Sequence, residues 1–297
     1  MKRLAVIIVT YNGMQWLERC LASVASSSYE ADTIVVDNCS TDRSADFVAE
    51  HYPAVKLVRN TQNEGFGRAN NRAMRMAIDR GADYLYLLNQ DAWITPEQLG
   101  RLVDIMERHP DYGIIGPVQL SADELHINEN FGRWLNTKTA PNFIDDAYFG
   151  RLSELYEMKL FPADNWLVRS KTIEQVGGFS PVFFFYGEDS EMVARIYYHG
   201  WKMGVAPHCR AVHDIADRQS PPERELMMEY LLYVIDINDP RRNFTSRCIM
   251  AWWKMVIDMG RMPGPRRLKW HYAFKALGQI APSRRNRHLT KRGHCYL

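Results

Sequence analysis

The sequence predicts an α/β protein organised around a parallel, doubly wound sheet. Short runs of apolar, β-branched residues alternate with segments whose apolar residues recur at helical spacing, and short connections join them, which is the pattern of repeated βαβ units. The run 84–88 is apolar almost throughout, as expected for a strand covered on both faces, and it ends abruptly at Asn89, Gln90 and Asp91. A carboxylate at the carboxyl end of a buried strand lies where open α/β sheets bind their ligands.

The predicted elements alternate from the amino terminus onward. Strands are predicted from their length and their Val and Ile content, and helices from apolar residues three or four positions apart. Thr95 and Pro96 indicate a further helix start, whereas the region 117–162 has only weak periodicity. The predicted strands are 4–9, 33–36, 55–58, 84–88 and 203–206, and the predicted helices are 14–25, 44–51, 68–80 and 190–199.

The composition is that of a folded globular protein, with 46% hydrophobic and 24% charged residues in 297. The net charge of +2 conceals an uneven distribution, because 14 of the 37 basic residues but only one of the 35 acidic residues follow residue 240. Residues 1–240 therefore carry a net charge of −11. A basic tail on an acidic body is typical of proteins whose tail meets an anionic partner.

Cysteine usage and hydropathy bear on the compartment. The cysteines are odd in number, scattered and without a C-x-x-C pair, which argues against a disulfide framework or a zinc ribbon. The apolar run after Lys2 and Arg3 is too short for a signal peptide, and no run is long enough to span a bilayer. We therefore expect a cytoplasmic protein. The cysteines are Cys20, Cys39, Cys209, Cys248 and Cys295.

Polar residues follow each of the first four predicted strands: Thr10 with Tyr11, then Asp37, the loop at Asn63, and Asp91. In a parallel sheet these strand ends meet along one edge, so we expect the residues around one crevice. Several polar strand ends, two of them aspartates, suit a phosphorylated nucleotide bound together with a divalent metal. Taken alone, Asp91 could equally cap the helix that follows it.

The motifs point to a family. G-x-G-x-x-G after the first strand and a P-loop are both missing, so neither a standard dehydrogenase nor a P-loop NTPase is indicated. Instead the chain contains, in order, Val-Ile-Ile-Val-Thr-Tyr-Asn-Gly, Val-Val-Asp-Asn-Cys-Ser-Thr-Asp, Asn-Glu-Gly-Phe-Gly-Arg-Ala-Asn-Asn, Leu-Leu-Asn-Gln-Asp and Phe-Phe-Tyr-Gly-Glu-Asp. In these motifs it resembles the family 2 glycosyltransferases with the GT-A fold, and most of all their rhamnosyltransferase-like branch. The resemblance covers roughly residues 4–220.

The resemblance implies that the strand ends form a nucleotide-sugar crevice. Thr10 and Tyr11 are implied to line the nucleotide pocket, and Asp37 is implied to hydrogen-bond the base. The other residues implied to shape the crevice are Asn38, Asn63, Gly65 and Asn70.

The resemblance also implies a metal. Asp91 ends the family's D-x-D-type motif and is implied to hold Mg²⁺ or Mn²⁺ on the two phosphates of the donor. In this chain the motif begins with Asn89, and Gln90 replaces the usual proline. His213 lies where some GT-A enzymes have a histidine that completes the metal shell, since imidazole can bind Mn²⁺. A purely structural histidine is the alternative.

Glu188 and Asp189 supply the candidate catalytic carboxylates. In the family pattern Tyr-x-Glu-Asp-x-Asp-Leu the second acidic residue deprotonates the acceptor, which implies that Asp189 is the general base. The next family aspartate is Glu191 here. The alternative is that these acids simply favour the amino-terminal end of the predicted helix 190–199.

The acceptor side is less defined. Tyr186 belongs to an aromatic run suited to a sugar ring, and Trp166 falls where the family has a small residue and could narrow the acceptor site. Packing roles are the alternative for such aromatic residues, and for Trp166 in particular. The region 117–162 is expected to carry variable loops that select the acceptor.

We expect a GT-A catalytic domain at 1–220, with a nucleotide-sugar-binding half at about 1–116 and an acceptor-binding half at 117–220, followed by a helical basic extension at 221–297. Basic residues interleaved with Trp and Tyr in the extension suit peripheral contact with an anionic membrane, at the inner face of the plasma membrane. The alternative is a helical subdomain that packs on the catalytic core. No nucleic-acid recognition motif accompanies the charge, so no nucleic-acid partner is expected.

Together these features predict an inverting, non-processive hexosyltransferase of cell-surface polysaccharide biosynthesis, with rhamnose as the favoured sugar. Its partners are a dTDP- or UDP-linked donor and a glycan or lipid-linked glycan acceptor. A sugar-phosphate nucleotidyltransferase and a non-catalytic nucleotide-sugar-binding relative are the alternatives. The first would need a glycine-rich basic loop after the first strand, and the retained carboxylates argue against the second.

Overall fold

The computed structural model describes residues 1–214, 223–261 and 264–297. A single sheet of nine strands forms its centre, with helices on both faces. The strands are β1 (Leu4–Thr10), β2 (Asp32–Asp37), β3 (Lys56–Arg59), β4 (Tyr84–Asn89), β5 (Ala92–Ile94), β6 (Tyr112–Leu120), β7 (Tyr156–Glu157), β8 (Asn165–Arg169) and β9 (Lys202–His213).

The helices of the first 214 residues surround this sheet, and those after residue 222 form a carboxyl-terminal extension. The first group is α1 (Met14–Ala25), α2 (Ser44–His51), α3 (Phe66–Asp79), α4 (Gln98–Arg108), α5 (Glu129–Gly132), α6 (Phe143–Tyr148), α7 (Ser170–Val176) and α8 (Glu188–Tyr198). The second group is α9 (Arg224–Asn238), α10 (Phe244–Arg261), α11 (Arg266–Gly278) and α12 (Ile280–Arg292).

The strand order is β3-β2-β1-β4-β8-β6-β9-β5, and β7 pairs with β9 beside this path. β3, β2, β1 and β4 are all parallel, as the sequence predicts. The other half of the sheet is mixed, because β8 runs antiparallel to both of its neighbours and β5 and β7 run antiparallel to β9. The start of β8 therefore lies at the same edge as the ends of the parallel strands.

Each central strand divides its side chains between two apolar layers. Along β1, Ala5 and Ile7 pack on the face that α3 covers, whereas Val6 and Ile8 pack on the face that α1 and α4 cover. Both layers exclude water almost completely. This two-sided burial explains why the first strands of the sequence are continuous apolar runs rather than alternating ones.

The extension has a small core of its own and also contacts the first 214 residues. Side chains of α9, α10 and α11 pack together with Phe183 from the loop before α8. Its carboxyl-terminal residues return to the turn after α7, where Gly178 donates its N–H to the carbonyl of Cys295 at 2.8 Å. Pro221 and Pro222, at the expected start of the extension, lie outside the described residues. No helix within the described ranges is long and apolar enough to cross a bilayer.

Candidate active site

The ends of β1 and β4 are joined by the side chain of Gln90. Thr10 Oγ1 and the backbone N–H of Tyr11 donate to Gln90 Oε1 at 2.7 and 2.9 Å, and Gln90 Nε2 donates to the carbonyl of Tyr11 at 3.3 Å. The amide fills the space over Gly13, where a Cβ would collide with it. Gln90, which replaces the proline that is usual in this motif, therefore holds the predicted nucleotide loop in place.

Asp37 lies at the end of β2 with one carboxylate oxygen available to a ligand. Its Oδ2 accepts the backbone N–H of Ser40 at 3.2 Å. Its Oδ1 is buried and has no hydrogen-bond partner among the described residues. A buried acceptor without a donor costs free energy of desolvation. This oxygen is therefore suited to accept the N–H of a bound nucleobase.

Asn38 organises the loop that closes the crevice beside Asp37. Its Nδ2 donates to Asn63 Oδ1 at 2.9 Å, and its Oδ1 accepts the backbone N–H of Glu64 at 2.9 Å. Gly65 follows with a φ of 79°, and a Cβ there would strike the carbonyl oxygen of Phe184. The loop before α8 thus lies directly on this loop, and glycine is required both by conformation and by space.

Asn70, predicted to shape the crevice, is buried on the first turns of α3 and donates to the carbonyl of Phe66 at 3.0 Å. This bond stabilises the start of α3. Asn89, at the end of β4, uses its backbone N–H to reach the carbonyl of Asp164 at 3.0 Å.

Asp91, His213 and Asp164 form a buried group at the edge of the sheet. His213 Nε2 lies 3.4 Å from Asp91 Oδ1, and His213 Nδ1 lies 2.9 Å from Asp164 Oδ2. The pairing of β5 with the end of β9 brings Asp91 next to His213, since Ala92 is the register partner of His213. Gln119 Nε2 donates to Asp164 Oδ1 and so holds that carboxylate. The ring of His213 therefore has one nitrogen toward each aspartate.

Asp91 and His213 fit one side of a divalent-metal site. They pair a carboxylate oxygen with an imidazole nitrogen, both buried, and Mn²⁺ accepts that combination. Among the described residues, no group of three or more His, Cys, Asp and Glu side chains is arranged to hold an ion by itself. Phosphate oxygens of a substrate would therefore have to complete the shell, as is usual for Mg²⁺ sites.

Glu188 and Asp189 begin α8, directly after Gly187, whose φ of 92° turns the chain into the helix. Glu188 is buried, and its Oε2 has no partner within the described part of the chain. Burial and the neighbouring Asp189 charge raise the pKa of Glu188 to about 8. A Cβ on Gly67 would lie 4.0 Å from the Cβ of Glu188, so this end of α8 adjoins the start of α3.

Asp189 is only partly exposed and retains access to solvent. Its Oδ1 accepts the N–H of Ser190 at 2.6 Å. Burial raises the pKa of Asp189, and the negative charge of Asp164 raises it further, while the bonds from Ser190 oppose the shift. A carboxylate with a raised pKa, mounted on a helix terminus at a crevice, has the properties of a general base.

Glu191, the counterpart of the next family aspartate, has a structural place. It is fully buried, and its Oε2 accepts from Arg195 Nε at 2.9 Å. Arg195 is also fully buried and donates to the carbonyls of Val176 and Gly178 at 3.2 and 2.8 Å. This ion pair ties α8, and therefore Asp189, to the turn after α7.

The two predicted acceptor-side aromatic residues differ in position. Trp166 on β8 is fully buried, stacked on Phe179 with ring centroids 6.3 Å apart and edge-on to Phe161. Its ring faces the core, which favours the packing alternative for Trp166 over the acceptor-side one. Tyr186 is 40% exposed with a φ of 66°, beside the exposed Phe185 in the loop that precedes α8.

Residues 5–177 match glycosyl transferase family 2. The chain belongs to this family. As a family 2 glycosyltransferase it is an enzyme of glycosyl transfer, which favours that activity over the nucleotidyltransferase and non-catalytic alternatives.

Relatives of this family 2 glycosyltransferase include two rhamnosyltransferases. The chain is 27% identical to an N-acetylglucosaminyl-diphospho-decaprenol L-rhamnosyltransferase of Mycobacterium tuberculosis over 71% of its own length and 75% of the relative's. It is 23% identical to the dTDP-rhamnosyl transferase RfbF of Shigella flexneri over 71% and 69%. The structure of Staphylococcus aureus TarS 1–349 in complex with UDP superposes with a TM-score of 0.59 at 16% identity, over 95% of this chain and 82% of TarS. That likeness confirms the GT-A type of fold.

Sequence reasoning on this glycosyltransferase did not single out Asp164 or Gln119. Asp164 precedes an antiparallel strand, so its arrival at the edge where the parallel strands end follows only from the pairing of β8 with β4. An acidic residue just before a strand that is antiparallel to the others is the signal that could have indicated it.

Proposed function

We propose that this family 2 glycosyltransferase transfers a hexose, with rhamnose favoured, from a nucleotide sugar to a glycan or lipid-linked glycan acceptor with inversion. Its setting is the biosynthesis of a cell-surface polysaccharide. The observation that carries the proposal is the placement of Asp189 at the start of α8, partly exposed, next to the loop of Asn63 and Gly65 that Asn38 holds at the end of β2.

In the proposed reaction Asp189 removes the proton from an acceptor hydroxyl as its oxygen attacks the anomeric carbon of the donor. The bond between that carbon and the diphosphate breaks in the same displacement, so the configuration inverts. Glu188, whose pKa is about 8, keeps its proton at neutral pH. It therefore adds no second charge beside the base and can donate a hydrogen bond.

On the donor side, Asp37 Oδ1 accepts a hydrogen bond from the nucleobase. Thr10 and Tyr11, held by Gln90, line the nucleotide pocket. Asp91 and His213 would hold Mg²⁺ or Mn²⁺ against the diphosphate, whose developing negative charge such an ion neutralises. The contact between His213 Nδ1 and Asp164 supports this assignment, because a carboxylate partner on one ring nitrogen orients the other.

The names of both relatives support rhamnose as the transferred sugar, and that of RfbF supports dTDP-rhamnose as donor. The name of the mycobacterial relative supports a diphosphate-linked lipid acceptor. UDP-linked hexoses stay open, because discrimination among donors depends on few pocket side chains.

We further propose that the extension contacts an anionic membrane at the inner leaflet. Large apolar side chains stand exposed at helical spacing on α10 and α11, next to the basic Arg266 and Arg267. Apolar rings flanked by positive charge suit the headgroup region of an anionic bilayer. The exposed residues are Ile249, Met250, Trp253 and Ile257 on α10, and Trp270, Phe274 and Leu277 on α11.

The test compares Asp189→Asn with Glu188→Gln. Removing the base is expected to lower kcat by roughly 10²- to 10⁴-fold, with donor binding retained. Glu188→Gln is expected to stay within about tenfold of wild type at pH 7, because the amide imitates a carboxyl group that is already neutral.

The pH profile provides a second measurement on the same variants. Only ionised Asp189 accepts a proton, so kcat is expected to fall on the acid side with a midpoint above the ordinary aspartate value of 3.8. Any change that follows Glu188 ionisation near pH 8 should disappear in Glu188→Gln. Full-rate transfer by Asp189→Asn would remove Asp189 as the base.

A further inference from the structure

A cleft of about 480 Å³ separates α8 and the acceptor half from the extension. Its volume lies within the range of small-molecule sites. One wall comes from α8 and from the loops that carry Trp134 and Lys159, and the other comes from α9, the turn that follows it, and α10. Neither the family match nor the nucleotide-sugar crevice accounts for this cleft, which we call the α8–α10 cleft.

The floor of the α8–α10 cleft is apolar. Val193 and Ala194 from α8 face Ala251 and Met255 from α10 across it, and all four are buried. Leu232 of α9 also lines the cleft although it is 46% exposed. A floor of this kind accepts hydrocarbon and offers nothing to a hydroxyl-rich sugar.

The rim of the α8–α10 cleft is charged, and five basic residues outnumber three acidic ones there. The acids hold the arginines in position. Asp236 lies 3.1 Å from Arg242 and 3.3 Å from Arg247, and Asp239 lies 2.8 Å from Arg241. Lys159 is exposed and adds a further positive charge to this rim. Fixed guanidinium groups around a concave surface are the usual receptors of phosphate oxygens.

The α8–α10 cleft begins one residue from the proposed base. Ser190 lines it, and the backbone N–H of Ser190 donates to Asp189 Oδ1 at 2.6 Å. A molecule in the cleft would therefore lie along the helix that presents Asp189. On α10, Lys254 faces the cleft while the neighbouring Trp253 is 58% exposed, so the cleft adjoins the apolar surface of that helix.

We infer that the α8–α10 cleft binds the diphosphate and the first hydrocarbon units of a lipid-linked acceptor. The inference rests on the proposed function and adds the location and chemical class of one acceptor subsite. The basic rim takes the diphosphate, the apolar floor takes the start of the lipid, and the sugar beyond the diphosphate extends toward Asp189.

The experiment measures binding of farnesyl diphosphate to the full chain by calorimetry in EDTA, with inorganic pyrophosphate and farnesol as separate probes. Farnesyl diphosphate is expected to bind at least about tenfold more tightly than pyrophosphate or farnesol. Only farnesyl diphosphate carries both a diphosphate for the basic rim and a hydrocarbon chain for the apolar floor. Excess UDP should leave its binding unchanged. Displacement by UDP would place the probe in the nucleotide crevice and overturn the inference.

Variants of exposed residues separate this role from folding. Lys159→Glu and Lys254→Glu, alone and combined, reverse charge on opposite walls, and the double variant is expected to weaken binding of farnesyl diphosphate by at least about tenfold. Lys171→Glu makes the same charge change outside the cleft and should bind as wild type does.

Equal binding by the double variant, or equal binding of pyrophosphate or of farnesol, would overturn the lipid diphosphate assignment. A melting-temperature rise with a nucleoside diphosphate and Mn²⁺, measured on the same samples, reports on the donor site independently. If that rise persists while farnesyl diphosphate fails to bind, the cleft inference falls and the proposed function stands.

Discussion

Replacement of Arg195 by methionine tests whether the buried ion pair holds α8 in place. Arg195 and Glu191 are each 0% exposed, with 2.9 Å between Arg195 Nε and Glu191 Oε2. Methionine keeps most of the aliphatic volume but removes the guanidinium, and with it the hydrogen bonds to Glu191, Val176 and Gly178. It leaves the carbonyls of Val176 and Gly178 without those donors. Within the described part of the chain, the carboxylate of Glu191 then keeps only the bond from Asn286 at 3.2 Å.

Breaking a buried pair by removal of one partner costs about 3–5 kcal/mol, because the remaining charge stays buried. Each kcal/mol lowers the melting temperature by roughly 2–4 °C in domains approaching this size, so we expect Arg195→Met to lower it by about 6–20 °C. Urea denaturation should show a matching loss in the free energy of unfolding.

Arg75→Met is the matched control. Arg75 and Asp79 have the same i,i+4 spacing and a 3.0 Å separation, but both side chains are more than half exposed. Water screens such a pair, so its loss is expected to cost about 0.2–1 kcal/mol. If Arg195→Met destabilises the protein no more than Arg75→Met does, the buried pair is not what secures α8.

Two further predictions concern the metal and the membrane. Asp91→Ala is expected to abolish the Mn²⁺-dependent rise in melting temperature with dTDP or UDP, since ligands stabilise only the state that binds them; an unchanged rise would remove Asp91 from the metal site. Trp253→Glu combined with Trp270→Glu is expected to abolish flotation with vesicles that contain phosphatidylglycerol, because charge replaces apolar rings at the headgroups. The aromatic pair Tyr148 and Phe149, which is even more exposed than the two tryptophans, should leave flotation intact when changed to glutamate. Loss of flotation in both double variants would contradict the assigned surface.

Much of the fold could be predicted because the pattern is local. α1 spans the predicted residues 14–25 and α2 the predicted 44–51, since apolar periodicity and helix termini depend on neighbours within a few positions. The weakly periodic region 117–162 resolved into the end of β6, two short helices and the two-residue β7. Such short elements are held by tertiary contacts, for example Tyr156 opposite Val205, and carry little periodic signal of their own.

The residues of the candidate site were likewise predictable from the sequence only in part. The strand ends at Thr10, Asp37 and Asp91 were predictable because parallel strands meet along one edge. The contact of Asp164 with His213 was not, because these residues are 49 positions apart and meet only when β8 pairs antiparallel with β4. Burial also decided the position of the Trp166 ring, which lies in the core. From the sequence alone, an aromatic ring suits contact with a sugar and packing in a core equally well.

By itself the sequence determined the parallel half of the sheet, the family motifs and the acidic start of α8, since each of these is written in contiguous residues. Only the tertiary structure decided that Gln90 joins the ends of β1 and β4, that Glu191 pairs with Arg195, and that the basic extension borders a cleft beside Ser190 and Asp189. The physical reason is that these outcomes depend on distances and burial between segments far apart in the chain. A side chain's charge and size are local properties, but the partner that it meets is set by how the whole chain packs.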